Sequence, residues 1–76
     1  MLTLIAPSGV PDAILSHYLN LYRERSALYE VRLCGLVIGD TRTYVTAYIR
    51  CKETCLKTRD YITYYAPSNT YDIAKE

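Results

Sequence analysis

The sequence predicts a two-layer α+β domain: one amphipathic helix packed on a mostly antiparallel sheet of three or four strands, in the order β-α-β-β-β. A short apolar run followed by an apolar stripe with helical spacing predicts the first strand and the helix. Two alternating apolar and polar runs around a turn predict a β-hairpin in the middle of the chain. A further alternating run predicts a strand near the end. At 76 residues, the chain is expected to form a single domain over residues 1–76.

The first strand and the helix come from the first third of the chain. Leu2–Ala6 is typical of a buried strand, and Pro7–Gly9 ends it because proline and glycine favour turns. The helix is predicted from Pro11 to about Ser26, with either Ser8 as its cap or Pro11 at its first position. Its apolar stripe consists of Ile14, Leu15, Tyr18, Leu19, Leu21 and Tyr22. The opposite, solvent-facing side carries His17, Asn20 and Glu24.

The hairpin is predicted from Tyr29–Ile38 and Arg42–Cys51, with its turn at Gly39-Asp40. A strict two-residue loop at that turn would bury charged side chains of the first strand, and a shift of one residue would reverse the faces. Gly35 can provide the shift, because a glycine inside a strand often marks a β-bulge, and a three-residue loop has the same effect. We therefore predict an irregularity at Gly35 or at the turn. The shifted register pairs Val31 with Ile49, Leu33 with Ala47, Glu30 with Arg50, and Arg32 with Tyr48.

The second hairpin strand has two unlike faces. Side chains alternate across a strand, which places Thr43, Val45, Ala47, Ile49 and Cys51 on a core face. The other face carries Arg42, Tyr44, Thr46, Tyr48 and Arg50. Because one helix covers only one side of a sheet, either water or a partner covers this second face. The predicted binding residues are Arg32, Arg42, Tyr44, Tyr48 and Arg50.

The last third of the chain gives weaker patterns. The polar segment 52–59 is open between a loop, a helical turn and a strand end. Tyr61–Ala66 alternates and predicts a strand, which Pro67 ends. Residues 67–76 are predicted as a C-terminal tail that either docks through Tyr71 and Ile73 or is loose and frays.

Composition limits the function. The net charge of +1 argues against a strongly basic nucleic-acid-binding protein, and nine tyrosines without Phe or Trp are too many for a small core. No run approaches the roughly 20 apolar residues of a membrane span, and the first residues do not resemble a signal peptide. We therefore expect a cytoplasmic protein whose three cysteines are reduced.

The reactive residues do not form a catalytic pattern. The single histidine is predicted on a helix face distant from every cysteine, no glycine-rich phosphate loop is present, and no carboxylate pair has a suitable spacing. The sequence therefore predicts a protein that is not an enzyme and needs no cofactor. Cys51 and Cys55 have a spacing that zinc sites permit, and with Cys34 and His17 they are either zinc ligands or ordinary core thiols.

The remaining functional classes are binding proteins. Tyr and Arg are enriched at the most important positions of protein interfaces, so we expect a small regulatory or inhibitor-type protein that binds another protein, or a second copy of itself, through the Tyr/Arg face. Small chains of this kind are common in phages and viruses. Single-stranded nucleic acid is the alternative partner, because bases stack on aromatic rings and phosphates pair with cations.

Overall fold

The structure is a computed structural model that describes residues 2–24 and 26–76, so that Met1 and Arg25 lie outside the described residues. It has the predicted α+β architecture, with one α-helix in the described part of the chain packed on a five-stranded mixed sheet. The elements are β1 (Thr3–Ile5), α1 (Asp12–Leu21), a 3-10 turn (Ser26–Leu28), β2 (Tyr29–Ile38), β3 (Arg42–Cys51), β4 (Lys57–Tyr65) and β5 (Thr70–Lys75).

The strands lie in the sheet in chain order, from β1 at one edge to β5 at the other. β1 is parallel to β2, as expected for two strands joined by a helix, and the other neighbours are antiparallel. The expectation of a buried first strand is wrong. Leu2 is buried but Ile5 is 59% exposed, because β1 is an edge strand of three residues with a neighbour on one side only.

Helix α1 is shorter than predicted. The helix begins at Asp12 with Pro11 as its N-cap, so Pro11 is not its first residue, and no side chain, that of Ser8 included, caps it. The helix ends at Leu21 and not near Ser26. The ring of Tyr22 stacks on that of Tyr29 with centroids 4.4 Å apart, so the chain must turn back immediately after the helix to enter β2.

The buried stripe of α1 is also narrower than predicted. Ile14 and Tyr18 are buried, whereas Leu19 and Leu21 are 46% and 52% exposed, contrary to the prediction. Leu19 points about 100° around the helix from Tyr18, which takes it out of contact with the sheet. Leu21 is the last helical residue, where the chain leaves the sheet surface.

The hairpin of β2 and β3 has the predicted irregularity. The register changes between Cys34 and Val37, so that Gly35 and Leu36 both lie opposite Val45 in a β-bulge. Gly35 has φ +63°, a left-handed conformation that glycine adopts without steric cost. All four residue pairs of the predicted shifted register are present. The position of the turn was wrong, since the Gly39 N–H donates to the Arg42 carbonyl at 2.8 Å and the tight loop is residues 40–41.

Strands β4 and β5 extend beyond the predicted strand. β4 begins at Lys57 and not at Tyr61, so the segment left open from 52 to 59 divides into a turn and the start of a strand. The predicted tail forms β5, which pairs with β4 and sets Ile73 opposite Ile62. Of the two predicted alternatives the docked one is present, because Tyr71 and Ile73 pack against the core, although the strand itself was not predicted.

The core lies between α1 and the sheet. Its buried apolar residues are Leu2, Val10, Ile14, Tyr18, Val31, Leu33, Val45, Ala47, Ile49 and Ile62. The predicted core face of β3 therefore faces α1, and the Tyr/Arg face points away from it. Among the described residues, no helix has the length and apolar character needed to cross a membrane.

Candidate binding surface

The face of the sheet that points away from α1, here called the outer face, is organised in rows that cross the strands. Residues directly opposite each other on neighbouring strands share a face, so the register determines which side chains are neighbours. The first row is Thr3, Glu30, Arg50 and Lys57, and the second row is Ile5, Arg32, Tyr48 and Arg59.

These two rows form a shallow depression, here called the basic trough, whose charged and aromatic residues are Glu30, Arg32, Tyr48, Arg50, Lys57 and Arg59. A cavity of about 490 Å³ is lined by residues of both rows from β1 to β4. A second cavity of about 480 Å³ adjoins it on the β4 side, and the two share Tyr48 and Lys57. The two rows carry four cations and one carboxylate, Glu30, and a second carboxylate, Glu76, lines the adjoining cavity.

Tyr48 lies at the centre of the trough between two arginines. The guanidinium carbon of Arg32, on β2, lies 5.8 Å from the centre of the tyrosine ring, and that of Arg59, on β4, lies 4.9 Å from it. Both distances are within the range of cation–π attraction. The Tyr61 hydroxyl accepts a hydrogen bond from Arg59 at 3.1 Å, which raises the pKa of that guanidinium. The arginines are therefore held in place while their charges stay at the surface.

Some of the cations of the outer face are paired and others are not. Glu30 lies 3.5 Å from Arg50 and 3.9 Å from Lys52, and the predicted Glu30–Arg50 pair is therefore present. Arg59 Nε lies 3.4 Å from Glu76 Oε2 without donating a hydrogen bond to it. Within the described residues, Arg32, Arg42 and Lys57 form no ion pair with a carboxylate. They remain available to an anionic partner.

The five predicted binding residues all lie on the outer face, but in two groups. Arg32, Tyr48 and Arg50 belong to the basic trough, whereas Arg42 and Tyr44 lie toward the other end of β3. Tyr44 and Tyr48 are four residues apart on one strand, which separates them by about 13 Å.

The second group has its own aromatic partner. The Arg42 guanidinium lies 5.4 Å from the ring centre of Tyr65. The Tyr65 hydroxyl donates to Asp72 Oδ2 at 3.1 Å, and this hydrogen bond raises the pKa of the tyrosine. Tyr44 is 45% exposed.

Sequence reasoning missed Lys57 and Arg59 as outer-face residues. Their strand was predicted to begin at Tyr61, so neither residue was assigned to the sheet. The signal that could have found them is the alternation of Lys57, Arg59 and Tyr61, which continues without a break into the predicted strand. The alternation was not recognised as a strand because it places an acid, Asp60, on the core face, where an apolar residue is expected.

Asp60 is a buried acid on β4. It is 3% exposed, on the side of β4 that faces α1, and Oδ2 accepts a hydrogen bond from the Tyr18 hydroxyl at 2.9 Å. Burial, together with this bond, raises the pKa of Tyr18 far above its ordinary value. The hydrogen bond from Tyr18 gives the buried Asp60 carboxyl group a partner, without which its burial would cost free energy.

His17 lies beside this pair and not on the solvent face where it was predicted. Its Nδ1 is 3.0 Å from the Tyr71 hydroxyl, and its ring contacts those of Tyr18 and Tyr71 edge-on. Burial lowers the pKa of His17. The helix rotates this residue toward β5, which was not predicted as a strand.

The structure does not bring the four candidate zinc ligands together, although Cys51 and Cys55 are close in one turn. Cys34 lies on the outer face opposite Thr46, whereas Cys51 is on the opposite face and His17 contacts Tyr71. In residues 2–24 and 26–76, no three His, Cys, Asp or Glu side chains are grouped as metal ligands would be.

Comparison of the chain with family profiles, with curated proteins and with solved structures finds no match. The outer face itself therefore has to indicate the function. That face presents Arg32, Arg42 and Lys57 without carboxylate partners among the described residues, and a tyrosine that lies between Arg32 and Arg59.

Proposed function

We propose that this protein acts by binding another protein through its outer face, as a small regulatory or inhibitor-type protein. The partner surface that fits is acidic, because the two adjoining cavities are lined by four cations and two carboxylates, and Arg32 and Lys57 form no ion pair with either carboxylate. Charge complementarity of this kind gives specificity and fast association.

The observation that carries the proposal is the arrangement of Tyr48 between Arg32 and Arg59. Binding a partner normally restricts long side chains, which costs free energy for each one immobilised. Here the two guanidiniums already lie over a ring that is itself fixed on the central strand of the sheet. Tyrosine and arginine preorganised in this way are the residue types that dominate binding at protein interfaces.

Single-stranded nucleic acid is the second candidate, and the exposed tyrosines favour it. Tyr44 and Tyr61 are 45% and 44% exposed and could each stack on a base. Tyr48, however, already has a guanidinium from each neighbouring strand, and a base could stack there only by displacing one of them. This competition, together with a net charge of only +1, makes a protein partner the better fit.

The test uses a charge-reversal variant of the trough, Arg32→Glu with Lys57→Glu. Both residues lack carboxylate partners within the described chain, so their reversal breaks no ion pair seen in the structure. The control is Arg23→Glu, one charge reversal at an exposed position just after α1, and the single variants Arg32→Glu and Lys57→Glu match it in net charge. A photo-crosslinking residue in place of Tyr61 first captures the partner from cells of the native host, and the purified partner is then titrated with each protein.

We expect the trough variant to weaken partner binding at least tenfold and the control to leave the dissociation constant unchanged. An unchanged constant for the trough variant would refute the proposal. Tight binding of a single-stranded oligonucleotide that falls steeply with added salt would instead support the second candidate.

The proposal extends to a homodimer, a cytoplasmic location and a phage or viral origin, all three of which are predictions. Sedimentation of the wild type and of the trough variant tests the first. A dimer that the trough variant converts to monomer would identify a second copy of the chain as the partner.

A further inference from the structure

The turn between β3 and β4 brings two of the three cysteines close together. Cys51 is the last residue of β3, and Cys55 lies four residues later in the turn. The Cys55 N–H donates to the Cys51 carbonyl at 2.8 Å, which closes a turn of helical size. Such a turn sets the two Cα atoms about 6 Å apart, within the range that a disulfide bond spans.

The rest of the turn holds this arrangement in place. The Cys51 N–H donates to the Leu56 carbonyl at 2.9 Å, so both cysteines are tied to the same short segment. Cys55 has φ +60°, which reverses the direction of the chain at an exposed position. The third cysteine, Cys34, lies on the outer face in the middle of the sheet and is not part of this turn.

The two thiols differ in their surroundings. The neighbouring Thr54, first through its side chain and then through its backbone, lowers the pKa of the Cys51 thiol. A lowered pKa increases the thiolate fraction, and the thiolate is the form that reacts with oxidants. Cys55 is the more exposed of the two.

We propose that Cys51 and Cys55 form a reversible thiol–disulfide site whose oxidant is a hydroperoxide. The Cys51 thiolate attacks one peroxide oxygen, so that an S–O bond forms, the O–O bond breaks and water leaves after protonation. Cys51 is thereby oxidised to a sulfenic acid and the peroxide is reduced.

The second step completes the oxidation. The Cys55 sulfur attacks Cys51 Sγ, the S–S bond forms, the S–O bond breaks, and the released hydroxide takes the Cys55 proton to leave as water. Two thiols and one hydrogen peroxide thus give one disulfide and two waters, and a dithiol reductant reverses the change. This site is independent of the proposed partner binding.

The test is peptide mapping of the purified protein after brief treatment with hydrogen peroxide. Lys52 lies between the two cysteines, so trypsin cuts the chain between them and leaves Cys51-Lys52 and Glu53–Lys57 as separate peptides. These peptides stay joined only if Cys51 and Cys55 are linked. We expect the joined pair in the non-reduced digest, its loss on reduction, and its persistence in the Cys34→Ser variant.

Two further measurements separate the proposal from simple proximity in the sequence. The joined pair should form several-fold faster in the folded protein than in urea, and Cys55→Ser should leave a sulfenic acid on Cys51 that dimedone traps. Equal rates in the folded and unfolded chain, or linkage of Cys34 in place of either residue, would overturn the proposal.

Discussion

Replacing Tyr18 by Phe removes one hydroxyl from the centre of the fold and leaves the ring in place. Tyr18 is 0% exposed, and its hydroxyl donates at 2.9 Å to Asp60, which is 3% exposed. The substitution leaves the volume of the core almost unchanged, and it does not change the number of charges. Its effect therefore measures what the hydrogen bond to the buried acid contributes.

The expected loss can be estimated from the kind of bond removed. A hydrogen bond to a charged group contributes roughly 1.5–3 kcal/mol, and the acceptor left behind is buried. A chain of this length has a total stability of roughly 4–11 kcal/mol. We expect Tyr18→Phe to lower the free energy of unfolding by about 2 kcal/mol and the melting temperature by roughly 10 °C.

Urea unfolding followed by circular dichroism measures the change. The matched control is Tyr64→Phe, because the Tyr64 hydroxyl donates to Asn69 at 2.6 Å in an exposed turn. That variant is expected to lose less than about 0.5 kcal/mol, as exposed positions usually do. Equal losses in the two variants would refute the argument that burial makes the Tyr18 bond important.

The same residue predicts an alkaline effect. The pKa of Tyr18 is raised above its ordinary value of 10.0, first by burial. Above pH 10 the unfolded chain therefore releases this proton while the folded chain retains it, and stability falls as the pH rises. Tyr18→Phe should show a smaller fall in stability above pH 10 than the wild type.

Three further variants test the fold elsewhere. Gly35→Ala should lose about 1–2 kcal/mol of stability in urea, because an alanine is strained at φ +63°; a neutral result would show that the bulge rearranges. The pKa of His17 is lowered in the folded chain, so below pH 6.5 the unfolded chain takes up this proton first and the stability of the wild type falls. In melting curves, the melting temperature of His17→Asn should therefore fall less than that of the wild type between pH 6.5 and more acidic pH. Equal falls in the two proteins would contradict this. Ile73→Ala should cost about 1–3 kcal/mol in urea if β5 packs on the core as its pairing with Ile62 indicates, and a frayed end would cost almost nothing.

The hairpin register could be predicted from the sequence, because an unshifted register would place charged side chains of one strand on the apolar face of the other. Charged Glu30 and Arg32 alternate with apolar Val31 and Leu33, so only one register keeps the charges out of the core. Glycine marked the place where the extra residue could be accommodated. The outer-face residues of β3 followed from the same alternation.

The later strands could not be predicted as well, because their pattern depends on tertiary contacts. Asp60 occupies a core position only because the hydroxyl of Tyr18 reaches it from the helix, and nothing local in β4 signals this. The helix ends at Leu21, where Tyr22 stacks on Tyr29 of the following strand, although the residues after Leu21 are compatible with a longer helix. β5 is short and half-exposed, so its strand form comes mainly from pairing with β4.

The β-bulge at Gly35 links the core to the candidate binding surface. The turn pairs Gly39 with Arg42, and continuing that register without a bulge would set Arg32 opposite Ile49, on the face that contacts α1. The core would then contain a guanidinium, and Tyr48 would lose one of its two arginines. The extra residue in β2 removes both problems at once, since it returns Arg32 to the outer face opposite Tyr48. The packing of the core and the assembly of the basic trough therefore depend on the same local irregularity.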